Sequence, residues 1–205
     1  MKIFTIVFNY QQYNKQADEP LYNNSDPVVL SLADSALLKD GKPHFMPDDL
    51  GTIDYEPQLV VRINRLGKSI PQRFAHRYYD AVTCGVSFTA RQLLSSLRQR
   101  QLPWTMAKSF DGAAAIGRWV DIQEVDNAAN IGFRLDVNGE TVYNGNTADM
   151  LHGIDATVAY ISRWFTLRTG DILFTGAPCP AAEAKINDHL VGYVDDKKVL
   201  EFNVK

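Results

Sequence analysis

The clearest fold signal in this sequence is the stretch Phe133-Arg134-Leu135-Asp136-Val137-Asn138-Gly139-Glu140-Thr141-Val142-Tyr143. Apolar and polar residues alternate on both sides of Asn138-Gly139, and this alternation is the period of a half-buried β-strand. The pair Asn-Gly readily adopts positive φ at both positions of a two-residue turn. The stretch therefore predicts a β-hairpin with its turn at Asn138-Gly139.

Outward from this hairpin, the sequence predicts a β-rich chain with a few helices. Residues 9–55 are rich in Asn, Asp, Gln and Pro, which indicates loops and short strands. Apolar and β-branched runs predict strands at residues 1–8, 58–64, 83–88 and 171–176, and a closing hairpin of 191–194 with 198–204. Helical spacing predicts helices at residues 71–82, 90–101 and 147–165, the last with Thr147 as its N-cap and its end near Gly170. This order of elements favours a β-rich α+β fold.

Composition and charge narrow the class of protein. The chain has 205 residues, 45% of them hydrophobic, which suits one packed domain spanning residues 1–205. A net charge of −3 without a basic cluster argues against nucleic acid as a partner. The apolar start is too short for a secretion signal, and no stretch has the length of a membrane span, so we expect a cytoplasmic protein without a membrane partner. Cys84 and Cys179 lack metal-site spacing and are expected to be reduced and mostly buried.

Four segments together resemble the fumarylacetoacetate hydrolase family. They are Asp54-Tyr55-Glu56-Pro57-Gln58-Leu59, Ser87-Phe88-Thr89-Ala90-Arg91, Ala107-Lys108-Ser109-Phe110-Asp111, and Asn146-Thr147-Ala148-Asp149-Met150 followed by residues 170–178. Each segment alone is a weak signal, but their order and separation cover about residues 54–178. The resemblance implies the mixed β-sandwich roll of the family's C-terminal domain, and a homodimer.

The resemblance also implies a chemistry. Family enzymes hydrolyse or decarboxylate small dicarbonyl acids, such as acylpyruvates and oxaloacetate, held on Mg²⁺, Mn²⁺ or Ca²⁺. A Glu-x-Glu pair on one strand and an Asp on the next supply the anionic oxygens that such ions prefer. The two Glu side chains point the same way because strand side chains alternate. A His and a Glu near the N-terminus activate water or move the proton.

The residues of this chain at those positions are mostly different. The metal-ligand positions are Glu56, Gln58 and Ser87, so one carboxylate remains of three. Amide and hydroxyl oxygens carry no full charge, so we expect a weak divalent-metal site or none. Glu56 alone is open to two interpretations, a residual ligand or a solvated, hydrogen-bonded strand residue.

The acid and base positions have changed as well. Tyr13 and Gln16 stand at the positions of the family His and Glu. Tyr is a poor base at neutral pH, and Gln cannot accept a proton. Leu94 replaces a family Gln. The remaining candidates for a base, the four histidines, match no motif position, and we expect His44, His76, His152 and His189 to be surface or capping residues.

Three polar residues of the family pattern remain: Arg91, Lys108 and Thr175. The resemblance implies that Lys108 is the catalytic residue that reaches the site and that Arg91 and Thr175 contact a small carboxylate ligand. Lys108 could equally lie on the surface with its stem packed. Arg91 could equally form a structural ion pair.

Three functions remain open from the sequence. The favoured one is a family member that has lost metal-dependent hydrolysis and decarboxylation and serves as a binding protein, a regulatory subunit or a partner of an active paralogue. The second is an enzyme that uses Lys108, Arg91 and Glu56 on a small 2-oxo acid without a tightly bound metal. The third is an ordinary acylpyruvate hydrolase whose N-terminal motif is aligned differently.

Overall fold

Two long antiparallel strands, β4 and β5, form the centre of the molecule. The structure, a computed structural model, describes residues 1–10, 26–38 and 41–205. Strand β4 spans Ile53–Ile63 and strand β5 spans Tyr79–Ala90, and they pair from Ile53 with Ala90 to Ile63 with Tyr79. Directly opposed residues of an antiparallel pair point to the same face. Polar residues on one face and apolar residues on the other therefore give this ribbon two different surfaces.

Eleven further strands complete two sheets over the described residues. Their bounds are β1 Ile3–Val7, β2 Val28–Leu32, β3 Leu37–Leu38, β6 Ala114–Ile116, β7 Val120–Asp121, β8 Gly132–Val137, β9 Glu140–Asn146, β10 Ile172–Phe174, β11 Ala182–Glu183, β12 His189–Val194 and β13 Lys197–Asn203. The larger sheet has the order β2-β1-β10-β4-β5-β6-β3, with β11 beside β4 and β7 beside β5. The smaller sheet has the order β13-β12-β8-β9.

The main core lies between the two sheets. It takes Leu59 and Val61 from β4, Val86 and Phe88 from β5, and Leu135 from β8, all fully buried. A second, smaller apolar cluster covers the opposite face of the larger sheet, around Val60, Ile172 and Phe174. The larger sheet is therefore buried on both faces, and the polar residues on its outer face need partners of their own.

Three α-helices accompany the sheets in the described part of the chain: α1 Arg91–Gln99, α2 Thr105–Lys108 and α3 Ile154–Trp164. Shorter 3-10 turns occur at Asp34–Ala36, Gln72–Arg77, Ile122–Glu124 and Thr147–Asp149. The β-rich α+β class is confirmed, as are both hairpins, the first strand and the helix predicted at 90–101. None of the helices in the described ranges is long and apolar enough to cross a membrane.

Two predicted helices differ from the structure. Residues 71–82 form only a 3-10 turn at Gln72–Arg77, and Val82 lies inside β5, because pairing with β4 extends that strand back to Tyr79. The helix predicted from Thr147 begins at Ile154. The side chain of Asn9 binds the backbone N–H and carbonyl of His152, which holds the preceding residues outside a helix. Thr147 is not its N-cap: its hydroxyl accepts from the Ile131 amide and donates to the Ala128 carbonyl.

The prediction of surface histidines is wrong for His44. Its side chain is 1% exposed and stacks on Phe88, with ring centroids 3.8 Å apart. Burial lowers the pKa of His44 to about 4, although a hydrogen bond with the backbone of Gly112 acts in the opposite direction. His76 is exposed, and His189 is half-buried beside Glu201, 3.2 Å away. Cys84 and Cys179 are both free, the first buried and the second half-buried.

Candidate functional site

The candidate site is a cavity of about 480 Å³ on the outer face of the larger sheet. The alternation of β4 and β5 places Asp54, Glu56 and Gln58 on that face, next to Ser87 and Thr89 from the opposing strand. All five residues are buried. Helices α1 and α2 and the end of β1 form the remaining walls. Strand alternation thus brings Glu56 and Gln58, the residues expected at the family's metal-ligand positions, into one cavity.

Lys108 reaches this cavity from the end of α2. Its ammonium lies 3.2 Å from the Glu56 Oε2 atom and donates a hydrogen bond of 2.7 Å to the Thr89 hydroxyl. Side-chain exposure is 8% for Lys108 and 11% for Glu56, so the ion pair is shielded from water. A buried charge is tolerated when it is paired and hydrogen-bonded in this way. Lys108 was open to two interpretations, a residue of the site or a surface residue with its stem packed. The structure places its ammonium inside the cavity.

Gln58 has its carboxamide oxygen turned away from the Glu56 position. The Oε1 atom accepts a hydrogen bond of 2.8 Å from the Gly176 amide and a longer one of 3.4 Å from the Thr5 hydroxyl. The Gly176 N–H requires an acceptor, so this amide orientation follows from the backbone. Among the described residues, the side-chain NH₂ of Gln58 has no partner. Gln58 therefore offers donors to the cavity where a metal would require an acceptor.

Ser87 lies opposite Glu56 and has no hydrogen-bond partner for its hydroxyl among the described residues. Its side chain is 1% exposed. An unsatisfied buried hydroxyl costs roughly 1–3 kcal/mol. A ligand atom within reach of Ser87 Oγ would remove this cost.

Arg91, the first residue of α1, forms ion pairs with two carboxylates. It binds Asp54 through two hydrogen bonds, one from Nε at 2.8 Å and one from Nη2, and its Nη1 atom lies 3.5 Å from Glu183. The hydrogen bonds with Asp54 raise the pKa of Arg91. The side chain is 46% exposed and lines the cavity rim. In the structure, Arg91 therefore forms the structural ion pair that was one of its two interpretations. Its contact with a ligand stays a prediction.

Thr175 has a partner in the backbone. Its hydroxyl donates to the Leu59 carbonyl at 2.8 Å, its amide donates to the same carbonyl at 3.0 Å, and it is not among the residues that line the cavity. The following Gly176 adopts a φ of +101° and packs against Asn9. Thr175 therefore helps to hold the turn whose Gly176 amide orients Gln58. Its predicted contact with a ligand stays a prediction.

The family resemblance implies a divalent ion held by oxygen ligands at this site. No group of three or more His, Cys, Asp or Glu side chains within residues 1–10, 26–38 and 41–205 is placed to hold a metal. Glu56 faces an ammonium group, and the Gln58 oxygen accepts a backbone N–H. Mg²⁺ and Ca²⁺ require several oxygen acceptors. The residues as arranged here do not fit such an ion.

Several predicted residues contribute differently or lie elsewhere. Tyr13 and Gln16, at the family's His and Glu positions, fall outside the described residues. Leu94 lines the cavity. Trp104 and Phe8 form an aromatic wall that the sequence does not reveal, because single aromatic residues in loops carry no periodic signal. Burial and the nearby Glu56 raise the pKa of Cys179 to about 12, so its thiol is neutral and a poor nucleophile.

A second and larger cavity, of about 790 Å³, lies between β6, β13 and the chain's first residue. Arg62 and Trp119 line it, and the Arg62 guanidinium lies 5.4 Å from the centroid of the Trp119 ring. None of the family's acidic or basic positions in the described residues opens into it. The smaller cavity is therefore the candidate functional site.

Comparisons with known proteins identify the family to which this chain belongs. The family model described as fumarylacetoacetate (FAA) hydrolase C-terminal matches residues 2–204. The mitochondrial oxaloacetate tautomerase FAHD1 of Mus musculus is 28% identical over 197 residues, covering 96% of this chain and 88% of that protein. A solved structure of a fumarylacetoacetate hydrolase family protein from Yersinia pestis has a TM-score of 0.93 at 28% identity, covering 100% of this chain and 93% of that one.

A fourth similarity concerns the fold alone. The fumarylpyruvate hydrolase of Pseudomonas aeruginosa, solved in complex with Mn²⁺ and pyruvate, has a TM-score of 0.92 at 24% identity, covering 100% of this chain and 89% of that one. Named relatives of this chain are thus enzymes, and one protein of the same fold binds a divalent ion with a 2-oxo acid. The match over nearly the whole length decides the family. This chain belongs to the fumarylacetoacetate hydrolase family.

Proposed function

We propose that this chain binds a small carboxylate, such as a 2-oxo acid, in the Glu56–Gln58 cavity without a divalent metal ion, and serves as a binding or regulatory member of its family. The observation that carries the proposal is the orientation of Gln58, whose oxygen accepts the Gly176 N–H so that its NH₂ group remains for a ligand. A carboxylate accepts hydrogen bonds, whereas a metal ion requires acceptors around it.

Two groups near Gln58 are also hydrogen-bond donors, which favours an anionic ligand. Lys108 supplies an ammonium on the cavity wall. Ser87, next to Glu56 on the same sheet face but not among the lining residues, carries a hydroxyl without a partner among the described residues. Gln58 on β4 and Lys108 on α2 thus present donors to the same cavity. Charge-assisted hydrogen bonds to an anion are about twice as strong as neutral ones. The cavity therefore suits an anionic oxygen better than a cation.

The first test is a thermal shift assay with Mg²⁺, Mn²⁺ and Ca²⁺, each with and without oxalate. Oxalate at a hundred times its Kd would stabilise the protein by about 2.7 kcal/mol, or roughly 5–10 °C for a chain of this size. We expect a rise in Tm with oxalate that persists in EDTA, and no rise with any metal alone. A rise that requires metal and oxalate together would overturn the proposal in favour of an ordinary metal-dependent hydrolase.

A second candidate function is metal-independent catalysis on a small 2-oxo acid. The specific observation in its favour is the contact between Lys108 and Glu56 inside the cavity, since keto–enol tautomerisation requires only one base and one acid beside the substrate. In the direction from enol to keto form, the base would take the proton of the enol hydroxyl, and the acid would donate one to the carbon next to the new carbonyl. The relatives named oxaloacetate tautomerases make this reaction the natural assay.

Tautomerisation of oxaloacetate can be followed by the loss of enol absorbance in EDTA. Turnover that survives the chelator and falls at least 100-fold in Lys108→Met would support the catalytic function. Because Lys108→Met leaves Glu56 buried without its ammonium, at a cost of roughly 3–5 kcal/mol, the double variant Lys108→Met/Glu56→Leu is measured beside it. Wild-type protein that binds oxalate and shows no turnover would restrict this chain to binding.

A further inference from the structure

Two segments that are distant in sequence form one surface of the molecule. One is the loop with its 3-10 turn between β4 and β5, and the other is the end of α3 with the residues that follow it. Gly67 and Leu167 join them through two backbone hydrogen bonds of 3.0 and 2.8 Å. The Lys68 ammonium donates to the Arg163 carbonyl at 3.0 Å. Exposed side chains from both segments therefore share one surface.

Six exposed cations lie on these two segments. They are Arg65, Lys68, Arg73, Arg77, Arg163 and Arg168. Residues 61–79 and 156–170 contain no Asp or Glu. In the part of the chain that the structure describes, none of the six cations forms an ion pair. The fold thus assembles a basic cluster from two distant parts of the sequence.

The neighbouring carboxylates do not neutralise this cluster. Asp80 and Asp171, just beyond the two segments, are each paired with a cation outside the six. Asp155 accepts a hydrogen bond from a tyrosine hydroxyl, and Asp26 lines a groove together with Arg163. Even with Asp155 and Asp26 counted against the six cations, an excess of positive charge remains over the described residues. The chain as a whole has a formal net charge of −3, so the surface differs in sign from the rest of the molecule.

Large apolar side chains are exposed on the same two segments. They are Leu66, Phe74, Trp164 and Phe165, with exposed fractions from 36% to 67%. The guanidinium groups of Arg73 and Arg77 lie 4.8 and 5.0 Å from the centroid of the Phe74 ring. Exposed apolar patches rimmed by polar groups commonly mark interaction surfaces. We call these four side chains and the six cations the basic aromatic face.

The charge of this face restricts its partner. A symmetric dimer through the face would bring the six cations of one copy against the same six of the other, because such an interface pairs a patch with itself. Like charges that face each other repel. A partner must therefore carry negative charge, and it must also accept exposed aromatic rings.

We propose that the basic aromatic face docks onto a membrane surface that contains anionic lipids. Basic clusters are attracted to such lipids, and tryptophan rings favour the level of the headgroups. Trp164 and Leu66 are both 67% exposed, so they project far enough to insert there, whereas a protein partner would need a pocket for each. The expectation of no membrane partner rested on the lack of an apolar span, which a peripheral contact does not require.

The test is cosedimentation with lipid vesicles, with tryptophan fluorescence as a second readout. Vesicles of phosphatidylcholine alone are compared with vesicles that also contain phosphatidylserine. We expect binding to the second kind to be roughly tenfold tighter or more, because several cations contribute, with a blue shift of the tryptophan emission as Trp164 leaves water. The preference should disappear in 1 M NaCl, where the screening length is only about 3 Å.

The charge of the face is tested with Arg73→Glu/Arg77→Glu, which should weaken binding to the phosphatidylserine vesicles roughly tenfold or more. The matched control, Arg100→Glu/Lys185→Glu, reverses two exposed cations outside the face and should bind as the wild type does. Should the first variant lose its cooperative melting transition, glutamine replaces glutamate in both variants. Equal losses in the two variants would show that net charge, and not this face, decides binding.

The aromatic part of the face is tested with Trp164→Ala, which should remove the blue shift. Ile186→Ala, at a side chain 63% exposed outside the face, should retain it. A blue shift that persists without Trp164 would overturn the proposed insertion.

Two other partners would give different results. Binding to poly-glutamate without binding to phosphatidylserine vesicles would overturn the proposal in favour of an acidic protein. A dimer in solution that Trp164→Ala separates into monomers would assign the face to contact between copies of this chain. Neither result depends on a ligand in the Glu56–Gln58 cavity, so this proposal and the proposed function can fail independently.

Discussion

At the scale of single residues, Gln58 and Ser87 decide whether the cavity can hold a metal. Restoring Gln58→Glu and Ser87→Asp would place three carboxylates on one face, because Glu56, Gln58 and Ser87 lie side by side on β4 and β5. Without metal, we expect the double variant to melt below the wild type, since two added charges are buried. With Mn²⁺, we expect its Tm to rise by several degrees, measured by differential scanning fluorimetry.

The control for this variant carries the same two substitutions at exposed positions, Gln123→Glu and Ser35→Asp. It should show neither the loss of Tm nor the response to Mn²⁺. If the Gln58→Glu/Ser87→Asp protein folds and its Tm does not rise with Mn²⁺, the assignment of these two positions to the family's ligand set would be contradicted.

His44 predicts a dependence of stability on pH. Its pKa in the folded protein is about 4, below the ordinary value of 6.5, so between these values the unfolded chain binds more protons than the folded one. Stability contributed by neutral His44 is complete above pH 6.5 and is lost as the pH falls toward 4. The loss from this residue is about 3 kcal/mol.

The measurement is urea denaturation at pH 7, 5.5 and 4 for the wild type and His44→Phe, which keeps an aromatic ring against Phe88 and cannot titrate. The variant should lose less free energy of unfolding over this range than the wild type. His76→Gln, at an exposed position, controls for the removal of one imidazole. Parallel pH curves for the wild type and His44→Phe would show that His44 does not carry the effect.

Individual site residues were predictable where the family pattern fixes them and strand alternation adds geometry. Glu56 and Gln58 were expected on one face of a strand, and they are. The contact of Lys108 with Glu56 was not predictable, because it joins residues 52 positions apart through α2. The orientation of the Gln58 amide depends on the Gly176 N–H, 118 positions away. No local pattern contains that information.

At the scale of elements, the turn after β10 sets the position of the polar wall. Gly176 has a φ of +101°, and a Cβ there would lie 2.8 Å from the Asn9 Cβ. We expect Gly176→Ala to lower the free energy of unfolding by roughly 3 kcal/mol, from backbone strain plus the clash. It should also weaken oxalate binding, because the N–H that orients Gln58 moves.

Gly139→Ala in the β8–β9 turn is the matched control. Gly139 has a φ of +87°, but no atom lies within 4 Å of an added Cβ. The expected cost is about 1 kcal/mol of conformational strain alone, with oxalate affinity unchanged. Equal costs for the two variants, by chemical denaturation, would show that the contact with Asn9 does not hold the turn.

Secondary-structure elements were predictable where the local sequence determines them. They were not predictable where contacts with residues distant in sequence determine them. The Asn138-Gly139 hairpin has both residues at positive φ, as its sequence requires. Residues 79–82 carry a helical spacing, yet they form strand because they pair with β4, with Ala81 opposite Arg62 and Val82 opposite Val61. The start of α3 was displaced by Asn9, which lies more than 140 positions earlier in the chain. Tertiary contacts outweighed local propensity in both places.

At the scale of the whole molecule, one core joins the two sheets, and we expect them to unfold together. Leu59 on β4 and Leu135 on β8 belong to the same buried cluster, and both side chains are 0% exposed. Leu→Ala at such positions costs roughly 2–5 kcal/mol. If the sheets form one cooperative unit, Leu59→Ala and Leu135→Ala should each shift a single transition, seen at the same midpoint by far-UV circular dichroism and tryptophan fluorescence. Two separate midpoints, each moved by only one of the two substitutions, would show that the chain is divided into independent folding units.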